Sequence, residues 1–91
     1  MDTQIFIKKC IELVVDYFNK HVDTQHRPGI EAKDVYVVWM CKTLGNNKAL
    51  LSTNVPDGMY YEVTYNGAKN EFYFDAYKKW ENICIKEALD E

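Results

Sequence analysis

Four strand-like segments separated by turn residues occupy the middle of the chain, and they restrict it to a fold built on a sheet. These segments, rich in β-branched and aromatic residues, are Val35–Leu44, Lys48–Thr53, Met59–Tyr65 and Ala68–Asp75. The turn-rich connections between them are 45–47, 54–58 and Asn66-Gly67, the last being a strong hairpin signal. Connections this short join neighbouring antiparallel strands, so the pattern predicts a four-stranded antiparallel meander.

Two amphipathic segments flank the strands and predict two helices. Residues 3–22 repeat apolar side chains at steps of three and four, and Asp2 or Thr3 can cap the start. Residues 76–89 carry a similar stripe after Asp75, a second candidate cap. The members of that stripe are Tyr77, Trp80, Ile83, Cys84 and Ala88. The polar stretch 23–29, which ends in Pro-Gly, is predicted to connect the first helix to the sheet.

The order of these elements predicts the fold class. One helix, four strands and one helix within 91 residues indicate a single α+β domain over 1–91, of order α-β-β-β-β-α. The predicted loops of three, five and two residues set the registers of the strands. In these registers, the more apolar of the two alternating sets of side chains lies on the same face in every strand. We expect both helices to pack on that face, which is formed by Val35, Val37, Trp39, Cys41, Ala49, Leu51, Met59, Tyr61, Val63, Phe72 and Phe74.

The opposite face of the predicted sheet is unusually apolar and aromatic for a face that no helix covers. Monomeric proteins seldom expose more than a few hundred Å² of contiguous apolar surface, and Tyr and Met are enriched at interfaces. We therefore predict that this face binds a partner or forms a homo-oligomer. The alternative is that Tyr is present only because it favours strands. The candidate binding residues are Tyr36, Val38, Met40, Lys42, Lys48, Leu50, Tyr60 and Tyr73.

The sequence offers no residue pattern typical of catalysis or metal binding. Cys10, Cys41 and Cys84 lie on three different predicted elements, and His21 and His26 straddle a helix end, so neither set has zinc-ligand spacing. No Gly-rich phosphate loop, serine nucleophile elbow or His-Glu-x-x-His motif is present. We expect a protein that is not an enzyme and that needs no metal or cofactor.

The net charge and the hydropathy of the chain limit the classes of partner and the cellular locations that we expect. Eleven basic residues against 14 acidic ones give a net charge of −3, which disfavours binding to nucleic acid. The longest apolar run, residues 35–41, is far shorter than the roughly 18 residues of a membrane span. The start of the chain does not resemble a signal peptide, and three dispersed cysteines do not resemble a secreted disulfide framework. We expect a cytoplasmic protein without a membrane partner.

Four stretches together form a specific motif string: Asp34–Leu44, Asn47–Thr53, Asp57–Gly67 and Asp75–Trp80. This string resembles a family of small uncharacterised proteins of phages and prophages of Gram-positive bacteria. The resemblance covers nearly the whole chain and brings no catalytic residue and no cofactor. It implies a phage-encoded protein that acts in the host cytoplasm by binding, against a host defence system.

Two classes of binding function follow from this resemblance. In the first, which we favour, the protein binds and inhibits a host defence or regulatory protein, as anti-CRISPR-like inhibitors do. In the second, an oligomer sequesters a nucleotide-derived immune signal between its subunits. Tyr or Trp would then stack on the base, and Lys42 or Lys48 would hold the phosphate. An accessory structural protein of the virion is a further alternative.

Overall fold

One α-helix, a one-turn 3-10 helix and four strands make up this computed structural model, which describes residues 1–22 and 27–88. The α-helix α1 is Thr3–His21 and the 3-10 helix is Ala32–Asp34. The strands are β1 (Val35–Thr43), β2 (Asn46–Thr53), β3 (Met59–Asn66) and β4 (Glu71–Lys78). They form one antiparallel sheet in the order β1-β2-β3-β4, which confirms the predicted meander.

Helix α1 begins where the sequence predicts. The Asp2 carboxylate accepts hydrogen bonds from the backbone N–H of Gln4 (2.8 Å) and Ile5 (3.3 Å), which caps the first turn. Apolar residues four positions apart line one side of the helix, and full burial of such a side chain contributes about 1.5–3 kcal/mol. The four that are buried against the sheet are Phe6, Cys10, Val14 and Phe18.

A side-chain amide fixes the chain that leads into β1. Asn19 of α1 donates from Nδ2 to the carbonyl of Ile30 (3.1 Å) and accepts at Oδ1 from the Ile30 N–H (2.8 Å). Gly29 lies so close that a Cβ there would be 2.5 Å from Asn19 Oδ1. The connection predicted over 23–29 falls partly outside the described residues, because 23–26 are not described.

The face of the sheet that packs on α1, the covered face, contains the core. Its buried residues are Val35, Ala49, Leu51, Tyr61, Val63 and Tyr65. Phe6 stacks on Phe72 with ring centroids 6.5 Å apart, and Tyr17 lies 5.2 Å from Phe74. The predicted parities of β2, β3 and β4 are therefore confirmed.

The β1–β2 turn differs from the prediction and changes one strand's parity. A three-residue loop over 45–47 is wrong, because Leu44 and Gly45 form a two-residue turn with φ of +51° and +82° that pairs Thr43 with Asn46. A β-bulge at Val38 shifts the register by one residue, so Val35 and Val37 lie on the face that the sequence predicted for them.

The outer half of β1 is consequently reversed relative to the sequence interpretation. Trp39 pairs with Leu50, and with Cys41 it lies on the face opposite α1. Met40 pairs with the buried Ala49 and packs against the core, and Lys42 shares its parity. The predictions for these four positions are wrong for one reason, the shorter turn.

The β3–β4 connection is also longer than predicted. Residues 67–70 form a four-residue loop that pairs Asn66 with Glu71, because the Asn66 Oδ1 accepts hydrogen bonds from the N–H groups of Ala68 (3.1 Å) and Lys69 (3.3 Å). The shift is an even number of residues, so the faces of β4 stay as predicted.

The predicted C-terminal helix over 76–89 is not observed in residues 76–88. Strand β4 continues to Lys78, with Ala76 opposite Tyr61, so Asp75 is a strand residue rather than a helix cap. Residues 79–88 have no regular secondary structure, and residue 89 is not described. Pairing with β3 satisfies the backbone of 76–78, whereas a short helix without a packing partner is marginal in water. The α+β class stands, with one α-helix in the described residues.

Candidate functional site

The face of the sheet opposite α1, the open face, carries large apolar side chains that solvent reaches. Four of them are between 42% and 50% exposed: Tyr36, Trp39, Tyr73 and Tyr77. They come from both edge strands, β1 and β4, while the half-buried Leu50 and Tyr60 lie between them on β2 and β3. The result is a broad, flat apolar surface that spans the full width of the sheet.

Five of the eight predicted binding residues are paired on this face, and Val38 is exposed at the bulge beside it. The five are Tyr36, Lys48, Leu50, Tyr60 and Tyr73, and the role of all six in binding stays a prediction. Met40 and Lys42 lie on the other side of the sheet because of the shorter β1–β2 turn.

Several residues of the open face were not predicted as binding residues, among them Trp39, Glu62, Asp75 and Tyr77. The signal for Tyr77 was present, because the alternation of Phe72, Phe74 and Ala76 with outward residues continues past Asp75. Trp39 was assigned to the other face because the β1–β2 turn is shorter than predicted.

A carboxylate lies at the centre of the open face. Glu62 Oε1 is 3.5 Å from Lys48 Nζ and accepts a hydrogen bond of 3.5 Å from the Tyr77 hydroxyl. Across the strands Glu62 is flanked by Leu50 and Asp75. Two carboxylates opposite each other repel, and Lys48 offsets part of that repulsion.

The tyrosines of β4 are held in their neutral form. The negative charge of Asp75, followed by that of Glu62, raises the pKa of Tyr77 above its ordinary value. The Tyr73 hydroxyl donates a hydrogen bond of 2.5 Å to Glu71 Oε2, and this bond raises the pKa of Tyr73. Each hydroxyl uses its one proton in the bond to a carboxylate, and its oxygen can accept a hydrogen bond from a partner.

The charges of the open face are mostly negative. Glu62, Glu71 and Asp75 lie on it, against the single strand lysine Lys48, whose ammonium faces Glu62. Lys42, which was predicted as the alternative to Lys48 for holding a phosphate, is on the opposite side. The combination of carboxylates with aromatic rings suits a partner surface that carries Lys or Arg.

The three cysteines are free thiols. Cys10 of α1 is buried against the sheet. Burial raises the pKa of its thiol to about 12, which keeps the thiol protonated and unreactive. Cys41 and Cys84 are exposed. Within residues 1–22 and 27–88, no group of three or more His, Cys, Asp or Glu side chains is arranged to hold a metal ion.

Comparison with known proteins gives one match. A model described as a family of unknown function (DUF6275) matches residues 7–87. No curated protein and no solved structure matches at a significant level.

In the part of the chain that the structure describes, no helix is both long enough and apolar enough to cross a membrane.

Proposed function

The chain belongs to the DUF6275 family of unknown function, and we propose that it is a non-enzymatic binding protein whose open face contacts another protein. The observation that carries this proposal is the set of half-exposed aromatic side chains on both edges of that face, notably Tyr36, Trp39 and Tyr73. Tyr and Trp dominate the binding energy of protein interfaces because each buries a large area at a low entropic cost.

The charge of the open face supports a protein partner over a nucleotide. A nucleotide phosphate needs free cationic groups, but Lys48 is engaged by Glu62 at 3.5 Å and three carboxylates share the face. A partner that presents Arg or Lys beside apolar side chains satisfies both features of the surface.

We further propose that the protein is phage-encoded and inhibits a host defence or regulatory protein in the host cytoplasm. This step rests on the likeness of its motif string to small phage and prophage proteins. A small domain with a broad flat surface suits inhibition by steric blocking, because it needs contact area and no catalytic machinery.

Affinity capture from a lysate of a Gram-positive bacterium, followed by titration calorimetry with the purified captured protein, tests this function. Tyr73→Arg places a charge in the proposed interface, and Ile5→Arg is the matched control, because Ile5 is exposed on α1. We expect Tyr73→Arg to weaken binding at least about tenfold, since loss of a large aromatic side chain that an interface buries costs more than about 1.4 kcal/mol. Ile5→Arg should bind like the unmodified chain.

Two results would contradict the proposal. In the first, both variants capture the same proteins with equal affinity, which would exclude the open face. In the second, native mass spectrometry of the protein from the same lysate shows a bound small molecule that leaves on denaturation, which would favour the sequestration of a nucleotide signal.

A further inference from the structure

The C-terminal arm, defined as residues 79–88, carries large apolar side chains that the single chain does not bury. Trp80 is 95% exposed, Ile85 87% and Ile83 65%. The arm is tied to the sheet at its start, where the Lys79 N–H donates to the Gly58 carbonyl at 2.7 Å. Contiguous apolar side chains on a soluble protein mark an interaction surface.

The molecule as a whole is more extended than a compact chain of its length. A compact chain of this length has a radius of gyration of about 12 Å, whereas the observed value is 16.0 Å. The accessible surface is 6952 Å², and a compact monomer of this mass exposes about 5,500 Å². The excess of about 1,400 Å² per chain corresponds to roughly 2,800 Å² in a pair, within the range of obligate dimers.

A groove of matching character runs along one flank of α1. It consists of two adjoining concavities of about 390 and 320 Å³. Its apolar residues are Ile7, Ile11 and Val15, four positions apart on α1, together with Ala32 of the 3-10 helix. Gln4, Lys8, Glu12 and Asp16 border it.

The apolar residues of the arm repeat with a helical period, and as a helix the arm has the same length as the groove. Trp80, Ile83, Cys84 and Ala88 repeat at helical spacing. At 1.5 Å per residue, Trp80 to Ala88 spans about 12 Å in a helix, the same as Ile7 to Val15. Folding of the arm on contact with a groove explains why its periodicity is helical although the single chain shows no helix there.

The groove faces away from the strand that carries the arm. Tyr17, on the other flank of α1, contacts Phe74 of β4, so the flank of Ile7 and Ile11 is turned towards the β1 side. Strand β4 is three strand spacings, about 14 Å, from β1, and α1 covers the face between them. The arm of a second copy meets no such obstacle.

We propose that the C-terminal arm of each chain docks as a helix into the α1 groove of a second copy, so that two chains form a dimer with reciprocal arms. Exchange of identical elements about a two-fold axis closes the assembly at two copies. This proposal is independent of the proposed function, because the groove and the open face lie on opposite sides of the sheet.

Sedimentation velocity of the full chain, in reductant because Cys41 and Cys84 are exposed, tests the proposal. The expected mass is twice 10.7 kDa. Trp80→Glu disables the arm, and Ala32→Glu disables the groove; both positions are exposed, so neither change should unfold the chain. The matched control is Leu44→Glu, at a side chain that is 96% exposed in the β1–β2 turn.

We expect Trp80→Glu and Ala32→Glu to sediment as monomers with unchanged circular dichroism, and Leu44→Glu to stay dimeric. A mixture of the two monomeric variants should form dimers again, because one supplies an intact groove and the other an intact arm. A monomeric unmodified chain at about 100 µM, well above the dissociation constant of an obligate dimer, would overturn the proposal. So would a dimer that survives Trp80→Glu, a mixture that stays monomeric, or a dimer that only Tyr73→Arg dissociates.

Discussion

Asn47 is a buried polar residue whose replacement should stabilise the protein. It is 1% exposed on β2, between Lys42 and Tyr65, and neither its Oδ1 nor its Nδ2 has a hydrogen-bond partner among the described residues. An unsatisfied buried polar group costs about 1–3 kcal/mol, and an apolar group of the same shape removes that cost. We therefore expect Asn47→Leu, which keeps the branch at Cγ, to raise the free energy of unfolding.

The expected gain in the free energy of unfolding is large enough to shift the Tm of a domain of this size by several degrees. A gain of about 1–2 kcal/mol, taken from the lower part of that range to allow for the extra volume of Leu, corresponds to a rise in Tm of roughly 5–15 °C. Asn47→Asp is the matched variant of opposite sign, because a carboxylate at this 1% exposed position loses its hydration, and we expect it to lower the Tm.

Urea denaturation followed by circular dichroism measures both changes. The slope of the free energy of unfolding against urea should stay constant, so a shift of the midpoint reports stability alone. A lower midpoint for Asn47→Leu than for the unmodified chain would refute the reasoning, because it would show that the amide is satisfied in the folded protein.

Three smaller changes test other contacts. Asn19→Ala removes both hydrogen bonds to Ile30 and should destabilise the protein by about 1–3 kcal/mol in the same urea titration; a change below about 0.5 kcal/mol would contradict the role of this contact. Glu71→Gln should lower the pKa of Tyr73 in an absorbance titration at alkaline pH. Because the folded-state pKa is raised, its contribution to stability is present below the ordinary tyrosine pKa and is lost as the pH rises through the raised value. Leu44→Asn should stabilise the turn by roughly 1 kcal/mol, since Asn tolerates the φ of +51° better than Leu; an unchanged Tm would argue against this strain.

The parts of the fold that follow from local chemistry were predictable. Asp2 and the four-residue repeat of Phe6, Cys10 and Val14 define α1 without reference to the rest of the chain. The five-residue loop 54–58 fixed the β2–β3 register correctly, with Ser52 opposite Tyr60.

The errors arose where tertiary structure outweighs local preference. Leu44 has a positive φ that usually indicates Gly, Asn or Asp, so nothing in the sequence marked the end of β1 there. The bulge at Val38 also leaves no signal in the sequence, although it determines that Val35 and Val37 lie on the covered face. Residues 76–88 have a helical period, but pairing with β3 extends β4 into them as far as Lys78, and among the described residues 79–88 have no regular secondary structure.

The two proposed surfaces have a joint consequence, because a dimer held by arms in the α1 grooves leaves both open faces outward. Such a dimer is bivalent, and a partner that presents two copies of its site is bound more tightly by avidity, by a factor of up to about 10²–10⁴. Trp80→Glu should therefore lower the apparent affinity for immobilised, clustered partner while leaving titration against monomeric partner unchanged. Equal loss in both formats would mean that the arm itself contacts the partner.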